Sequence, residues 1–276
     1  MGASALSCLI DRLAAGTKRL LVATDFDGTL CPITDSPSDV AIPPVILEIL
    51  VQLSLSQRVA FTVISGRALD DLVRRVPLQK IILAGNYGLA VRGPALSFEH
   101  PQARKIRPQL AEACAHLGQV VAASKGAWVE DKVLTAAVHY RNVDRSERYA
   151  LMRNVRHCMA PYGTLFGMRA GRKVIEIIPR LGWDKGSCLG WVRHKLNMER
   201  DGCICIGDDP TDESMFVANA SQLNIRVGPV SHTVARYHVG DVFEVAAVLA
   251  HVEHAVRTHN LERDDLAAVS LGNEVA

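Results

Sequence analysis

Five small or apolar residues, Leu20-Leu21-Val22-Ala23-Thr24, run directly into Asp25-Phe26-Asp27-Gly28-Thr29. So short and apolar a run predicts a buried strand. Two carboxylates one residue apart at its end repel, and one is partly protonated unless a cation lies between them. The pair suits joint work, in which one carboxylate attacks an electrophile, the other shuttles a proton, and a divalent metal offsets the negative charge. Gly28 frees the backbone to turn sharply, and Thr29 offers a hydroxyl and an amide to an anion. The plainer alternative is a strand end followed by acidic turn residues.

The next segments repeat the pattern. Pro43 and Pro44 open a helix carrying Val45, Ile46, Ile49, Leu50 and Leu53 at helical spacing. Val59 to Ile64 predicts a second buried strand, Ala68 to Val76 a helix stopped by Pro77, and Ile81 to Ala84 a third strand ending at Gly85. Strands alternating with helices predict an α/β fold, a Rossmann-like parallel sheet covered on both faces. Ligands bind such sheets beyond the carboxyl ends of the strands, where Asp25, Ser65 and Gly85 all fall.

The middle of the chain breaks the alternation. A helix over Pro108 to Leu117 and another near Ser146 to Met159 surround extended stretches within Ala127 to Tyr140, Gly163 to Met168 and Lys173 to Ile178. These lie too close together for crossover helices, so they predict a small α+β insert with a largely antiparallel sheet. The α/β order then resumes with a helix over Asp184 to Leu196, a strand over Cys203 to Ile206, a helix over Thr211 to Asn219 and a strand over Gln222 to Val227. The expected division is a core of residues 1–92 and 182–276 split by an insert of 93–181. The polar, acidic tail after about Thr258 reads as a fraying end.

With 276 residues, 49% of them hydrophobic, the chain has material for a sizeable core. A net charge of +2 argues against nucleic acid or a membrane surface as the main partner. Met1 to Ile10 makes a poor signal peptide, and no segment has the apolar length of a membrane span. Seven scattered cysteines with no C-x-x-C pair indicate neither a zinc site nor a disulfide framework. Most read as small buried hydrophobes, and a cytoplasmic setting is expected.

Three more constellations carry chemistry. Ser65-Gly66-Arg67 ends a strand with a hydroxyl, free amides and a guanidinium suited to a phosphate, although a plain Ser-Gly turn reads equally well. Asp184 caps a helix whose first residue, Lys185, either faces the sheet edge or is solvated. Gly207-Asp208-Asp209-Pro210-Thr211-Asp212-Glu213 places four acids after a buried strand. The helix dipole accounts for Asp212 and Glu213, while the doubled Asp208 and Asp209 point to a hard cation such as magnesium.

The order of acid pair, hydroxyl, lysine and acid cluster resembles the haloacid dehalogenase superfamily of phosphatases. The resemblance implies that Asp25 is the nucleophile and Asp27 the general acid and base. Ser65 and Lys185 would hold the phosphoryl group. Asp25, Asp27, Asp208 and Asp209 would form a magnesium site, with Asp212 in support. The insert would be a cap domain, and it contains Gly126-Ala127-Trp128-Val129-Glu130-Asp131-Lys132, Val138-His139-Tyr140-Arg141 and Gly171-Arg172-Lys173-Val174-Ile175-Glu176-Ile177. Glu130 and Lys132 share one face of a strand. They are either ligand-binding groups or a solvated salt bridge.

With Gly-Asp-Asp-x-Thr-Asp-Glu, these runs closely resemble the trehalose-6-phosphate phosphatase family, from about Leu20 to Val252. That likeness implies that Glu130, Lys132 and Glu176 bind the sugar lacking the phosphate, with Arg67, Asn86 and Arg141 as supporting contacts. It implies magnesium as cofactor, a sugar phosphate as substrate and a trehalose-6-phosphate synthase as pathway neighbour. The family also includes large proteins with a synthase-like domain, and this sequence resembles the stand-alone bacterial type. Tyr87 and Ala90 depart from the histidine and the acid common at those positions, which touches the sugar contacts and not the nucleophile. Two other readings stand beside this one: a phosphatase of sucrose phosphate or mannosyl phosphoglycerate, and a non-catalytic sugar-phosphate sensor, against which the intact Asp25 and Asp27 argue.

Overall fold

The computed structural model describes residues 3–34, 40–198, 202–219, 223–229 and 232–272. Strand β1 (Leu20–Thr24) is buried at every position and sits inside an eight-stranded sheet. The parallel strands β2 (Val59–Ile64) and β3 (Ile82–Gly85) lie on one side of it. Strands β4 (Ala90–Gly93) and β5 (Leu96–Glu99) follow as antiparallel additions to that edge. The smaller sheet consists of β6 (Trp128–Asp131), β7 (Ala136–His139), β8 (Phe166–Ala170) and β9 (Val174–Pro179), all antiparallel in the order β6-β7-β9-β8. On the other side of β1 lie the parallel strands β10 (Cys203–Gly207), β11 (Leu223–Val227) and β12 (Tyr237–Val239). Chain order reverses across β1, which puts the ligand crevice of such a sheet at its carboxyl end.

The helices are α1 (Ala3–Gly16), α2 (Pro44–Leu55), α3 (Leu69–Arg75), α4 (Pro101–Lys105), α5 (Arg107–Val121), α6 (Arg148–Met159), α7 (Lys185–Leu196), α8 (Glu213–Ala218) and α9 (Val242–Gly272). Alternate residues of β1 serve opposite faces of the large sheet. Leu20 and Val22 pack with α1, α2 and α9, whereas Leu21 and Ala23 pack with Cys188, Leu189 and Val192 of α7 and with Met215 and Phe216 of α8. In the smaller sheet, Ala136, Val138, Ile175 and Ile177 face a core built with Leu110 and Leu117 of α5 and Leu151 and Val155 of α6. Glu130, Ala137, Glu176 and Arg169 stand in register across the strands with the opposite parity, on the face without helices.

The parallel sheet and the antiparallel inserted sheet are as expected, and several details differ. Residues 163–165 are turn, and β8 begins only at Phe166. The helix expected over Thr211 to Asn219 opens as a 3₁₀ turn, Pro210–Asp212, before α8. Gln222, the expected start of β11, lies outside the described residues. Beyond Thr258 the chain does not fray but continues as the carboxyl end of α9 to Gly272, extending a helix anchored by its buried Val245, Leu249 and Val252. Strand β5 belongs to the large sheet although it follows residue 92. Cysteines 31, 188, 203 and 205 are buried as expected, while Cys8 is exposed. Among the described residues, no helix is long and apolar enough to cross a membrane.

Candidate active site

The carboxyl ends of β1, β2 and β10 and the amino end of α7 meet beneath the helix-free face of the smaller sheet. Between them lies a cavity of about 360 Å³. Asp25, Asp27, Ser65, Arg67, Glu130, Lys132, Arg141, Glu176, Lys185, Asp208 and Asp209 all line it. Asn86 does not. It is buried beside the cavity and donates through Nδ2 to the carbonyl of Lys132 and to Oγ1 of Thr135, both at 2.9 Å.

At the floor, Asp25, Asp208 and Asp212 each bring a carboxylate oxygen within 4.8 Å of the others. Lys185, 2% exposed, places Nζ 2.9 Å from Oδ1 of Asp25 and 2.7 Å from Oδ1 of Asp212. Asp184 caps α7 by accepting the Ser187 amide, which fixes Lys185 as the first helical residue. Burial pushes the Asp25 carboxyl well above its ordinary range. Lys185 opposes that shift, and the charges of Asp212 and Asp208 add to it. Burial, reinforced by Asp212, pushes Asp208 up to about 7. Lys185 itself is held well above its ordinary value by Asp212 and Asp25, against the effect of its burial.

Asp208 depends on a missing side chain. A Cβ on Gly28, whose φ is +81°, would be strained and would collide with the Asp208 carboxylate, so glycine at this turn leaves room for Asp208 where it stands. The cationic group paired with Asp208 is Arg172, 63% exposed, whose Nη2 lies 3.8 Å away. A buried, all-oxygen acid cluster with one lysine for three carboxylates fits a hard divalent cation of the magnesium kind.

The side chains of Asp27 and Asp209 lie outside that cluster. Both oxygens of Asp27 accept hydrogen bonds from Arg67, at 2.6 and 2.7 Å, because the planar guanidinium matches a carboxylate. Arg67 also donates to Asp71 at 2.8 Å. Asp209 caps the 3₁₀ turn by accepting the Thr211 amide, and Asp212 accepts the Asp209 amide in return. Ser65 Oγ accepts the Arg67 amide at 3.2 Å.

The roof carries a second charged set. Lys132 Nζ, buried, lies 3.3 Å from Glu176 Oε1 and 3.9 Å from Glu130 Oε2. Glu130 also pairs with His139 Nε2 at 2.8 Å, and Trp128 stacks on that imidazole at 3.9 Å. Burial opposes ionisation of Glu130, but His139 and Lys132 together hold its carboxyl below the usual range. Sequence reasoning passed over Arg169, which lines the cavity beside Glu176. No motif marks it, and only the β8–β9 register could have found it.

The two-sheet fold is shared with the solved structures of haloacid dehalogenase-like hydrolases. One of these, from Bacteroides thetaiotaomicron, shares it with a TM-score of 0.60 at 16% identity, over 85% of this chain and 98% of that one. The crystal structure of a trehalose-6-phosphate phosphatase related protein does so with a TM-score of 0.75 at 24% identity, over 85% and 97%. The chain belongs to the trehalose-phosphatase family, whose sequence model matches residues 23–246. A trehalose-phosphate phosphatase of Mycolicibacterium paratuberculosis is 37% identical over 210 residues, 75% of this chain and 51% of that protein. An uncharacterized glycosyl hydrolase of Mycobacterium tuberculosis is 38% identical over 217 residues, 76% of this chain and 16% of that protein. The chain therefore spans about half or less of the length of these relatives.

Proposed function

We propose that this protein hydrolyses trehalose 6-phosphate to trehalose and phosphate through an aspartyl-phosphate on Asp25. The observation that carries the reading is one cavity with an acid–lysine cluster at its floor and a Glu-Lys-Glu set at its roof. The floor suits a phosphoryl group, and the roof offers the donors and acceptors that a hydroxyl-rich sugar needs.

In this reading Ser65 and Lys185 hold the phosphoryl oxygens and keep phosphorus in line with Asp25. An Asp25 oxygen attacks phosphorus while the bond to the sugar oxygen breaks. Asp27 gives that oxygen its proton, having exchanged one of its Arg67 hydrogen bonds for the proton it carries. Asp71 keeps Arg67 in place meanwhile. Water then attacks the aspartyl-phosphate, Asp27 takes its proton, and phosphate leaves with Asp25 restored. Asp25 and Asp208 would hold magnesium, which when bound supplies positive charge against the phosphoryl oxygens and the crowded acids. Glu130, Lys132 and Glu176 bind the distal sugar, with Arg141 beside them. The smaller sheet with α5 and α6 acts as a cap, which we place within the 93–181 insert and after β5, since β5 stays with the core sheet. Seven free thiols support a reducing, cytoplasmic setting.

The test is phosphate release from trehalose 6-phosphate, with magnesium and with excess chelator, beside sucrose 6-phosphate and glucose 6-phosphate. Selective, metal-dependent release from trehalose 6-phosphate is the expected result. Equal or better turnover of another sugar phosphate overturns the substrate, and no release from any of them by folded protein overturns the enzyme.

A further inference from the structure

The turn after β3 is bent in a way that its sequence does not favour. Asn86, Tyr87 and Gly88 have φ of +53°, +59° and +88° in succession, and left-handed backbone is uncommon for a bulky residue such as tyrosine. Such a conformation persists only where its surroundings over-determine it. Here the Asn86 amide donates to the Arg67 carbonyl at 2.7 Å, and the Tyr87 amide to the Ser65 carbonyl at 2.8 Å. The turn is thus bolted to the Ser65–Arg67 loop.

Both side chains of the turn then reach the smaller sheet. Asn86 Nδ2 grips the Lys132 carbonyl and Thr135 Oγ1, between β6 and β7. The Tyr87 ring lies under the guanidinium of Arg169 on β8, with the cation 4.5 Å from the ring centre. Strands β6 and β8 are the two edges of that sheet, with β7 and β9 between them, so one attachment holds the β6–β7 turn and the other a side chain from the opposite edge strand. Two separate attachments resist rocking as well as separation. Gly66 completes the seat: a Cβ there would stand 2.6 Å from Tyr87 Cζ and Oη, and its carbonyl accepts Lys132 Nζ at 3.3 Å.

We propose that the Asn86–Gly88 turn is the joint that sets the smaller sheet over the Ser65–Arg67 loop, with Tyr87 and Arg169 as positioning residues for the Lys132–Glu176 pair. Arg169 faces Glu176 directly in the β8–β9 register, so its seat on Tyr87 also fixes the carboxylate beside it. What enters the cavity rests on the proposed function, whereas the joint itself does not.

Amide hydrogen exchange of the ligand-free protein tests the joint without any substrate. Arg169→Gln changes an exposed residue of an edge strand, so the fold survives it. We expect the amides of Asn86, Tyr87, Lys132 and Leu134 to exchange about tenfold faster, with β1 and β10 unchanged. Tyr87→Phe, which keeps the ring under the guanidinium, should stay near wild type, and Arg169→Lys should recover part of the protection. Unchanged exchange at Asn86 and Tyr87 in Arg169→Gln overturns the proposal. In parallel, Arg169→Gln should raise KM for trehalose 6-phosphate about tenfold, and Arg169→Lys should recover part of that loss. A wild-type enzyme that ignores trehalose 6-phosphate refutes the substrate reading alone, and the exchange result still decides the joint.

Discussion

Replacing Lys185 with methionine keeps the length of the side chain and removes the one cation inside the acid cluster. Its ammonium lies 2.7 and 2.9 Å from two carboxylates that are 0% and 8% exposed. Breaking a buried ion pair on one side costs about 3–5 kcal/mol, because the partner charge is stranded. At about 2–4 °C of Tm per kcal/mol for a chain of this size, the variant should melt roughly 6–20 °C below wild type at pH 8 without divalent metal. The deficit has a definite pH sign. Asp25 and Asp208 already bind protons more tightly in the folded state than in the unfolded chain. Their contribution is fully present below the unfolded carboxylate value and is lost as pH rises through the folded values. Removing Lys185 raises the folded values further, so the deficit should shrink between pH 8 and pH 5.5 as protons neutralise the stranded charges. A second variant, Lys185→Met with Asp212→Asn, removes one stranded carboxylate and should recover about 0.5–3 kcal/mol. Circular dichroism melts at both pH values, in chelator, supply the numbers. A Tm at pH 8 within 2 °C of wild type, or a double variant less stable than the single one, would refute the reasoning.

Four further outcomes are expected. Asp25→Asn should abolish turnover of every phosphate ester while leaving the melting curve cooperative, and retained turnover would remove Asp25 as nucleophile. Glu130→Ala should lower kcat/KM for trehalose 6-phosphate at least tenfold more than for 4-nitrophenyl phosphate; equal losses would mean that the roof does not read the sugar. Gly28→Ala puts a methyl group where Asp208 Oδ2 sits, so the magnesium concentration for half-maximal activity should rise at least tenfold, as a metal titration would show. Without metal, the wild type should lose stability relative to Asp208→Asn as pH rises from 6 to 8, because the Asp208 proton is lost near pH 7; urea midpoints that stay parallel would contradict the assignment.

Segments whose burial is decided locally were legible in advance. Leu20 to Thr24 and Val59 to Ile64 were bounded to the residue, since a continuous apolar run between charged or turn residues has one way to be buried. Strands β4, β5 and β12 escaped notice because three or four residues carry no period, and their pairing depends on an edge already in place. The chemistry-bearing residues divide the same way. Those attached to a strand end or a helix start, Asp25, Ser65, Lys185 and Asp208, were selected from sequence and line the cavity. Asn86 was expected, on the family resemblance, to contact the sugar, yet its amide is used between the sheets, which no local pattern discloses.

By itself the sequence determined the element order, the parallel core, the inserted antiparallel sheet and the edge at which reactive groups gather. It did so because strand and helix periodicity and strand-end position are properties of neighbouring residues. Tertiary structure alone decided which carboxylates share a cluster, turning Asp27 to Arg67 and Asp209 to a helix cap while bringing Asp212 beside Asp25. It alone set Glu130, Ala137, Glu176 and Arg169 in one row and seated Arg169 on Tyr87. Charge pairing acts over a few ångströms between residues far apart in the chain, 160 positions for Lys185 and Asp25, and that proximity exists only once both halves of the core have closed on each other.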